Sequence, residues 1–253
     1  RRALGDRPVG SLTGADVVQF ATSRRHAGAA PATVQMDVGF LRDLLAVARS
    51  MFDLPIADII GDARPSLRLL RLVGKPKERK RRPTADELAQ LRAYWTRRLA
   101  NELPMRDLLD FAIGSAMRLG EVLRLRWADL DEARSLIVVR DRKDPHRKDG
   151  NDQEVPLLVV GGIDPLAIIL RQPRGERVFP FAEDSVGRAW RRAVLALGIK
   201  DLRWHDLRHE GVSRLFEAGF TIEQVALVSG HRSWASLKRY TNLRAEDLAR
   251  RTG

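Results

Sequence analysis

The sequence contains no cysteine. Disulfide bonds and thiolate metal sites are therefore excluded, although this absence does not fix a cellular compartment. No apolar run approaches the ~20 residues that a membrane-spanning helix requires, and no secretory signal is present. The chain begins Arg-Arg and not with Met. We therefore expect it to be a fragment that lacks an N-terminal part.

The composition points to a folded protein with a polyanionic partner. Of the 253 residues, 44% are hydrophobic, which supports a real core in one large or two modest domains. Lysine and arginine number 45 against 33 acidic residues, giving a net charge of +12. Nucleic acid is the first candidate partner, and an anionic membrane surface is the second.

Residues 204–241 are predicted to form three short helices. The first ends at Gly219, the second begins at Thr221 with a capping box and stops at Gly230, and the third is capped by Ser233. In the first helix, His205 and Arg208 are three residues apart and therefore share a face. The chemically capable side chains of this segment all lie near helix ends or in the turns beside them: His205, Arg208, His231 and Tyr240.

Two histidines, an arginine and a tyrosine supply cationic donors, proton-transfer groups and one oxygen nucleophile. Neither a carboxylate cluster nor a metal-ligand spacing accompanies them. This set suits a phosphodiester attacked by a tyrosine, with the charge on the non-bridging oxygens held by side chains instead of a metal. For each residue alone, the structural alternative is a basic helical hairpin with a core histidine and a surface tyrosine.

The order HDLRH, SGH and RY resembles the C-terminal signature of the tyrosine recombinases, the phage integrase family. His205-x-x-Arg208, His231 after a glycine, and Tyr240 nine residues later match that signature in order and spacing. The family also carries an earlier arginine. Arg118, within AMRLGEVLRLRW, occupies the matching position, and its implied role is to hold a non-bridging phosphate oxygen.

Glu121 lies one turn beyond Arg118, where it can orient that arginine or a neighbour. The structural alternative is a plain surface ion pair between the two residues.

A β-hairpin is predicted from Leu136–Val139 and a return strand over Glu154–Leu158. The family carries a catalytic lysine on a hairpin at this place, a few residues before a Val-Pro pair. Lys148 fits that spacing best, and Lys143, at the end of the first strand, is the alternative. The implied role is to protonate the leaving 5′-oxygen. The hairpin is longer and more charged than the simplest family pattern, so the choice stays open.

The remaining segments are mostly helical in pattern. Helices are predicted from a Ser11 or Thr13 cap to about Arg25, and over about 32–51, 84–99, 105–116, 165–170 and 185–197. Pro55 and Pro65 are predicted to interrupt the segment between the second helix and a basic run. That run contains candidate DNA-binding residues, which would contact phosphates without reading sequence: Lys75, Lys77, Arg79, Lys80, Arg81 and Arg82.

The resemblance implies a mainly α fold with a small antiparallel β-sheet (α+β). A helical core-binding domain over residues 1–74, which clamps DNA, would precede a basic linker at 75–82 and a catalytic domain at 83–253. The implied activity is site-specific recombination of double-stranded DNA through a 3′-phosphotyrosine at Tyr240, for integration or excision of a mobile element. Arg118 and Arg208 would stabilise the charge at phosphorus.

In the same scheme, His205 would assist proton transfer and contact the phosphate, and His231 would donate to a non-bridging oxygen. The covalent link conserves the bond energy, so no cofactor, neither ATP nor metal, is expected. A homotetramer on DNA is expected, in the cytoplasm at the nucleoid, with accessory DNA-bending factors as possible partners. The tail 241–253 is expected either to dock on a neighbouring protomer or to fray. The competing functions are type IB topoisomerase-like relaxation and non-catalytic DNA binding on the same fold.

Overall fold

A computed structural model describes residues 5, 7–76, 78–96, 103–142 and 150–240, without the side chain of Arg239. The chain divides into two compact units, residues 1–79 and 80–253. The division falls inside the basic run at 75–82, which has no helix or strand in its described part. Within the described ranges, no helix combines the length and the apolar content needed to cross a membrane.

The first unit contains three α-helices: α1 (Gly14–His26), α2 (Pro31–Phe52) and α3 (Ile59–Leu69). The two predicted helices of this region are present. Thr13 caps α1 in a capping box with Asp16, which satisfies backbone N–H groups that the first turn cannot bond internally. Buried apolar residues of all three helices, among them Val17, Val34 and Ile60, form a core of their own.

The helix α3 runs through Pro65, so the prediction that this proline interrupts the chain is wrong. Proline removes one backbone donor from a helix interior, which is unfavourable in isolation. Here the helix buries Ile59, Ile60 and Leu67 on one face, and tertiary burial outweighs the local cost.

The second unit contains most of the secondary structure. Its helices are α4 (Ala85–Thr96), α5 (Met105–Ser115), α6 (Leu119–Val122), α7 (Pro165–Leu170), α8 (Glu183–Ala196), α9 (His205–Glu217), α10 (Ile222–Ser229) and α11 (Trp234–Leu237). Short 3₁₀ turns cover Trp127–Asp129 and Lys238–Tyr240. The capping box predicted for α10 is present, whereas the Ser233 side chain makes no capping hydrogen bond to α11.

The sheet is antiparallel, with strands β1 (Leu130–Asp131), β2 (Leu136–Val139) and β3 (Gln153–Pro156) in that order. Ile137 on β2 faces Val155 on β3, and both are fully buried. The sequence predicts the β2–β3 pair but not β1, because two residues are too few to show an alternating pattern. The predicted fold class, mainly α with a small antiparallel sheet, is confirmed.

Helices α5 and α9 cross almost in backbone contact. A Cβ atom on Gly211 of α9 would lie only 2.2 Å from the carbonyl oxygen of Ile113 on α5. Glycine is therefore what allows the two helices to approach this closely. The crossing brings the first turns of α9 beside the C-terminal end of α5, where Ala116 adopts a left-handed conformation with φ of 50°.

Candidate active site

Arg208 lies on α9 at the point where the helix meets the end of α5. Its Nη1 donates a hydrogen bond of 2.8 Å to the carbonyl oxygen of Ala116, and only 3% of the residue is exposed. Burial lowers the pKa of Arg208 to about 9, and the nearby Arg118 guanidinium acts in the same direction. The side chain remains a cation at neutral pH. Two like charges beside each other constitute a site that an anion would stabilise.

Glu121 on α6 joins the cations of the site. Its Oε1 accepts a 2.7 Å hydrogen bond from Nη1 of Arg118, and its Oε2 accepts a 3.0 Å bond from the Arg118 backbone N–H. Burial by itself raises the pKa of Glu121, but Arg142, Arg118 and Arg208 together hold it below its ordinary value. The Arg118–Glu121 pair is therefore not a plain surface pair, because the carboxylate is 2% exposed and serves several guanidinium groups.

Arg142, which the sequence did not single out, is 1% exposed at the end of the hairpin. Its Nη2 donates 2.8 Å to the carbonyl oxygen of Val228 at the end of α10, and its Nη1 donates 3.0 Å to Oε1 of Gln153. Nε lies 3.6 Å from Oε1 of Glu121. Gly230 has a positive φ of 69°, and a Cβ there would lie 2.3 Å from the Nε of Arg142. This arginine therefore connects the hairpin, α6 and the end of α10.

His231 follows that glycine and faces Arg208. One guanidinium nitrogen of Arg208 lies 3.3 Å from Nε2 and 3.4 Å from Nδ1 of the ring. The hydroxyl of Ser229 donates to the carbonyl oxygen of Val225 at 2.6 Å and lies 2.7 Å from Nδ1 of His231. The Ser229 hydroxyl therefore fixes the orientation of the His231 ring through Nδ1.

Tyr240 lies in the 3₁₀ turn after α11. Its phenol oxygen is in direct contact with Nδ1 of His209, a residue that is 5% exposed. The Tyr240 ring stacks on Phe216 with centroids 6.4 Å apart and an interplanar angle of 17°. The ring of His231 lies 6.5 Å from it. The Tyr240 oxygen, a potential nucleophile, thus lies beside the cationic cluster, which consists of Arg118, Arg142 and Arg208.

His205 lies on the first turn of α9 and is exposed. Its ring packs edge-on against His209, with centroids 5.0 Å apart and planes at 88°. In addition to the hairpin lysine, the sequence singled out five residues, and these lie in one connected neighbourhood: Arg118, His205, Arg208, His231 and Tyr240. His209 is the residue that sequence reasoning missed, although it is the last letter of HDLRH.

Both lysine candidates, Lys143 and Lys148, lie outside the described residues. The described ends of their loop are fixed close to the site. The backbone N–H of Arg142 donates 2.8 Å to the carbonyl oxygen of Asn151. The side chain of Asn151 returns a 2.6 Å bond to the Arg142 carbonyl, and its Oδ1 accepts from Arg232, next to His231.

Part of the basic run is folded onto the second unit. Arg81 forms an ion pair with Glu87, and Arg82 pairs with Glu210 at 2.8 Å and Glu217 at 2.5 Å, both on α9. Burial opposes charging of Arg82, but hydrogen bonds to the two α9 carboxylates raise its pKa overall. These two guanidinium groups are therefore engaged by carboxylates, whereas Lys75 and Lys80 are exposed, Arg79 is half-buried and Lys77 is outside the described residues.

Across the part of the chain that is described, no group of three or more histidine or acidic side chains is placed to hold a metal ion. Residues 81–247 match the phage integrase family. The chain belongs to that family.

Known members of the phage integrase family resemble this chain over most of its length. It is 34% identical over 222 residues to the shufflon-specific DNA recombinase of Escherichia coli, which covers 85% of this chain and 52% of the relative. It is 26% identical over 241 residues to the integrase of Salmonella phage P22, covering 87% and 56% respectively. The chain thus spans about half the length of these curated relatives.

The fold is also similar to that of a solved member, a lambda integrase tetramer bound to a Holliday junction. The TM-score is 0.74 at 19% identity, over 98% of this chain and 70% of that one. At this identity the similarity concerns the fold alone.

Proposed function

We propose that this chain is the DNA-clamping and catalytic part of a site-specific recombinase, which integrates or excises a mobile element. It cuts and rejoins DNA strands through a 3′-phosphotyrosine at Tyr240. The observation that carries the proposal is the placement of the Tyr240 phenol oxygen against His209, beside the buried cation Arg208 and the half-buried cation Arg118. Membership of the phage integrase family supports the same chemistry.

The phosphate is bound by cations that are already in place. Arg208 is fixed by the Ala116 carbonyl, and Arg118 is fixed by Glu121, so neither guanidinium has to be ordered when DNA arrives. His231 donates to a non-bridging oxygen, and exposed His205 contacts the phosphate from the first turn of α9. As Tyr240 attacks, two guanidinium groups match the growing charge on the equatorial oxygens.

A lysine of the hairpin loop protonates the leaving 5′-oxygen. Lys148 is the preferred residue and Lys143 the alternative. The anchoring of both described loop ends, at Arg142 and Asn151 near His231, supports a role for this loop at the site. The released 5′-hydroxyl, or that of a partner strand, then reverses the step. No cofactor takes part, since the phosphotyrosine conserves the energy of the broken bond.

Residues 1–74 clamp the duplex, and residues 75–82 connect the two domains. The net charge of +12 supports a double-stranded DNA partner. The solved lambda integrase tetramer on a Holliday junction supports a tetramer here as well. The tail 241–253, which lies outside the described residues, is a candidate for docking on a neighbouring protomer. Accessory DNA-bending factors and association with the nucleoid belong to the same proposal.

Covalent trapping tests the proposal. Duplexes are first enriched for binding from a randomised pool and then nicked, so that the cleaved end diffuses away and the adduct accumulates. The chain has two tyrosines, Tyr94 and Tyr240. Wild type and Tyr94→Phe should both give a protein–DNA band on a denaturing gel, and Tyr240→Phe should give none while it still binds the duplex.

Each competing function has its own result. If wild type forms the adduct and relaxes supercoiled DNA but gives no joint product, the protein is a topoisomerase. If wild type and Tyr94→Phe both bind the duplex in a salt-sensitive manner and neither forms an adduct, the protein is a DNA-binding protein and the recombinase proposal is refuted.

A further inference from the structure

His209 occupies a position that the proposed reaction does not yet use. It is buried on α9, and its Nδ1 touches the one phenol oxygen that has to attack phosphorus. Its ring lies 5.6 Å from the Tyr240 ring, centroid to centroid. A buried imidazole in contact with a nucleophile is the arrangement that general-base catalysis requires.

We infer that His209 is the proton acceptor for Tyr240. This inference rests on the proposed function. A phenol has a pKa near 10 and is a weak nucleophile at neutral pH, so its proton must leave as it attacks. A neutral imidazole offers one nitrogen with a free lone pair. The contact through Nδ1 places that lone pair at the Tyr240 oxygen, with Nε2 as the protonated nitrogen.

Neighbouring aromatic rings fix the positions of the His209 and Tyr240 rings. Phe216, two turns further along α9 than His209, stacks on the Tyr240 ring, while the edge-on His205 ring packs against His209 from the preceding turn. His209 also follows directly after Arg208, whose guanidinium is fixed at Ala116. A single helix therefore supplies the phosphate-binding cation and the proton acceptor, so attack and deprotonation share one rigid support.

The O–H bond of Tyr240 breaks and its proton moves to Nδ1 of His209 as the phenol oxygen forms a bond to phosphorus. The bond from phosphorus to the 5′-oxygen breaks, and that oxygen takes a proton from the hairpin lysine. In the rejoining step a 5′-hydroxyl gives its proton back to the neutral lysine as its oxygen attacks phosphorus. The phenol then leaves, and the His209 imidazolium returns its proton to Tyr240.

The test compares His209→Asn with wild type. The Oδ1 of asparagine can take the place of Nδ1 and accept a hydrogen bond from the phenol, but it cannot carry the proton away. Single-turnover adduct formation on the nicked duplex should fall by about 100-fold. His209→Gln serves as a second variant, and binding to the duplex shows that each variant is folded.

The acidity of the nucleophile separates proton transfer from positioning. In a Tyr94→Phe background, position 240 is the only tyrosine. Difluorotyrosine supplied in place of tyrosine therefore enters the protein at that position alone. A more acidic phenol needs less help to lose its proton. The loss caused by His209→Asn should therefore shrink to about 10-fold or less with the fluorinated residue. Because His209 and not His205 takes the Tyr240 proton in this scheme, the loss caused by His205→Asn should be equal with either nucleophile.

A His209→Asn rate within about threefold of wild type, or a loss that fluorination leaves unchanged, would overturn the assignment and leave His209 a positioning residue at most. Either result with a wild-type adduct present leaves the recombinase proposal standing. If wild type forms no adduct at all, both the recombinase proposal and the role of His209 fail.

Discussion

Replacement of Gly211 by alanine tests the α5–α9 crossing on which the site is built. The new Cβ would lie 2.2 Å from the Ile113 carbonyl oxygen, whereas ordinary contact begins at 3.4 Å, so the helices must separate by about 1.2 Å. The obstructing atom belongs to the backbone and cannot rotate away. Overpacking of this kind costs about 3 kcal/mol, and the better helix propensity of alanine returns about 1 kcal/mol. We expect a net loss of about 2 kcal/mol in the free energy of unfolding.

The same displacement moves Arg208 away from Ala116, to which it donates a 2.8 Å hydrogen bond. A shift of about 1 Å in a catalytic group can cost about 100-fold in rate. Adduct formation by Gly211→Ala should therefore fall by about that factor even where the variant is folded.

Urea denaturation followed by tryptophan fluorescence is the appropriate assay, because all five tryptophans lie in the second unit. Gly187→Ala, in the interior of α8 with no atom within 4 Å of the new Cβ, is the matched control. It should gain about 0.5–1 kcal/mol and keep full activity. Equal stability and activity of the two variants would refute the claim that glycine is needed at the crossing.

Three further perturbations probe the cationic cluster and its support. Gly230→Ala should lower the free energy of unfolding by about 2–3 kcal/mol, because the new Cβ clashes with buried Arg142 and because alanine disfavours the positive φ at this position. Gly219→Ala, at a φ of 92° with open space, should lose only the conformational part in the same urea titration. Glu121→Gln should cost about 3 kcal/mol near neutral pH, since a buried carboxylate that serves several arginines is removed. Because the folded-state pKa of Glu121 is depressed, this contribution is complete above the ordinary glutamate pKa and is lost as pH falls through the folded value, so the two unfolding curves should converge in acid. Arg82→Gln should lower stability by about 1 kcal/mol in low salt and by less in high salt, and an equal loss in both would argue against a role for its two α9 ion pairs.

Local interactions were the most predictable from sequence. The capping boxes at Thr13 and Thr221 connect residues three apart, so their partners can be read from the chain. The β2–β3 pair follows from a β-branched run and its return strand. Helix α3 was missed because a proline outweighed its apolar face in the local pattern, although burial outweighs the proline in the folded unit.

The sequence by itself determined the family signature and the chemistry that goes with it. The spacing of His205, Arg208, His231 and Tyr240 is a property of the chain. Only the tertiary structure decided which side chain touches the nucleophile and which cation is buried. His209 meets Tyr240 across 31 residues, and Arg142 meets Val228 across 86. Such contacts depend on how helices cross and how a hairpin docks, and backbone geometry at Gly211 and Gly230 sets both. No local pattern in the sequence encodes that geometry.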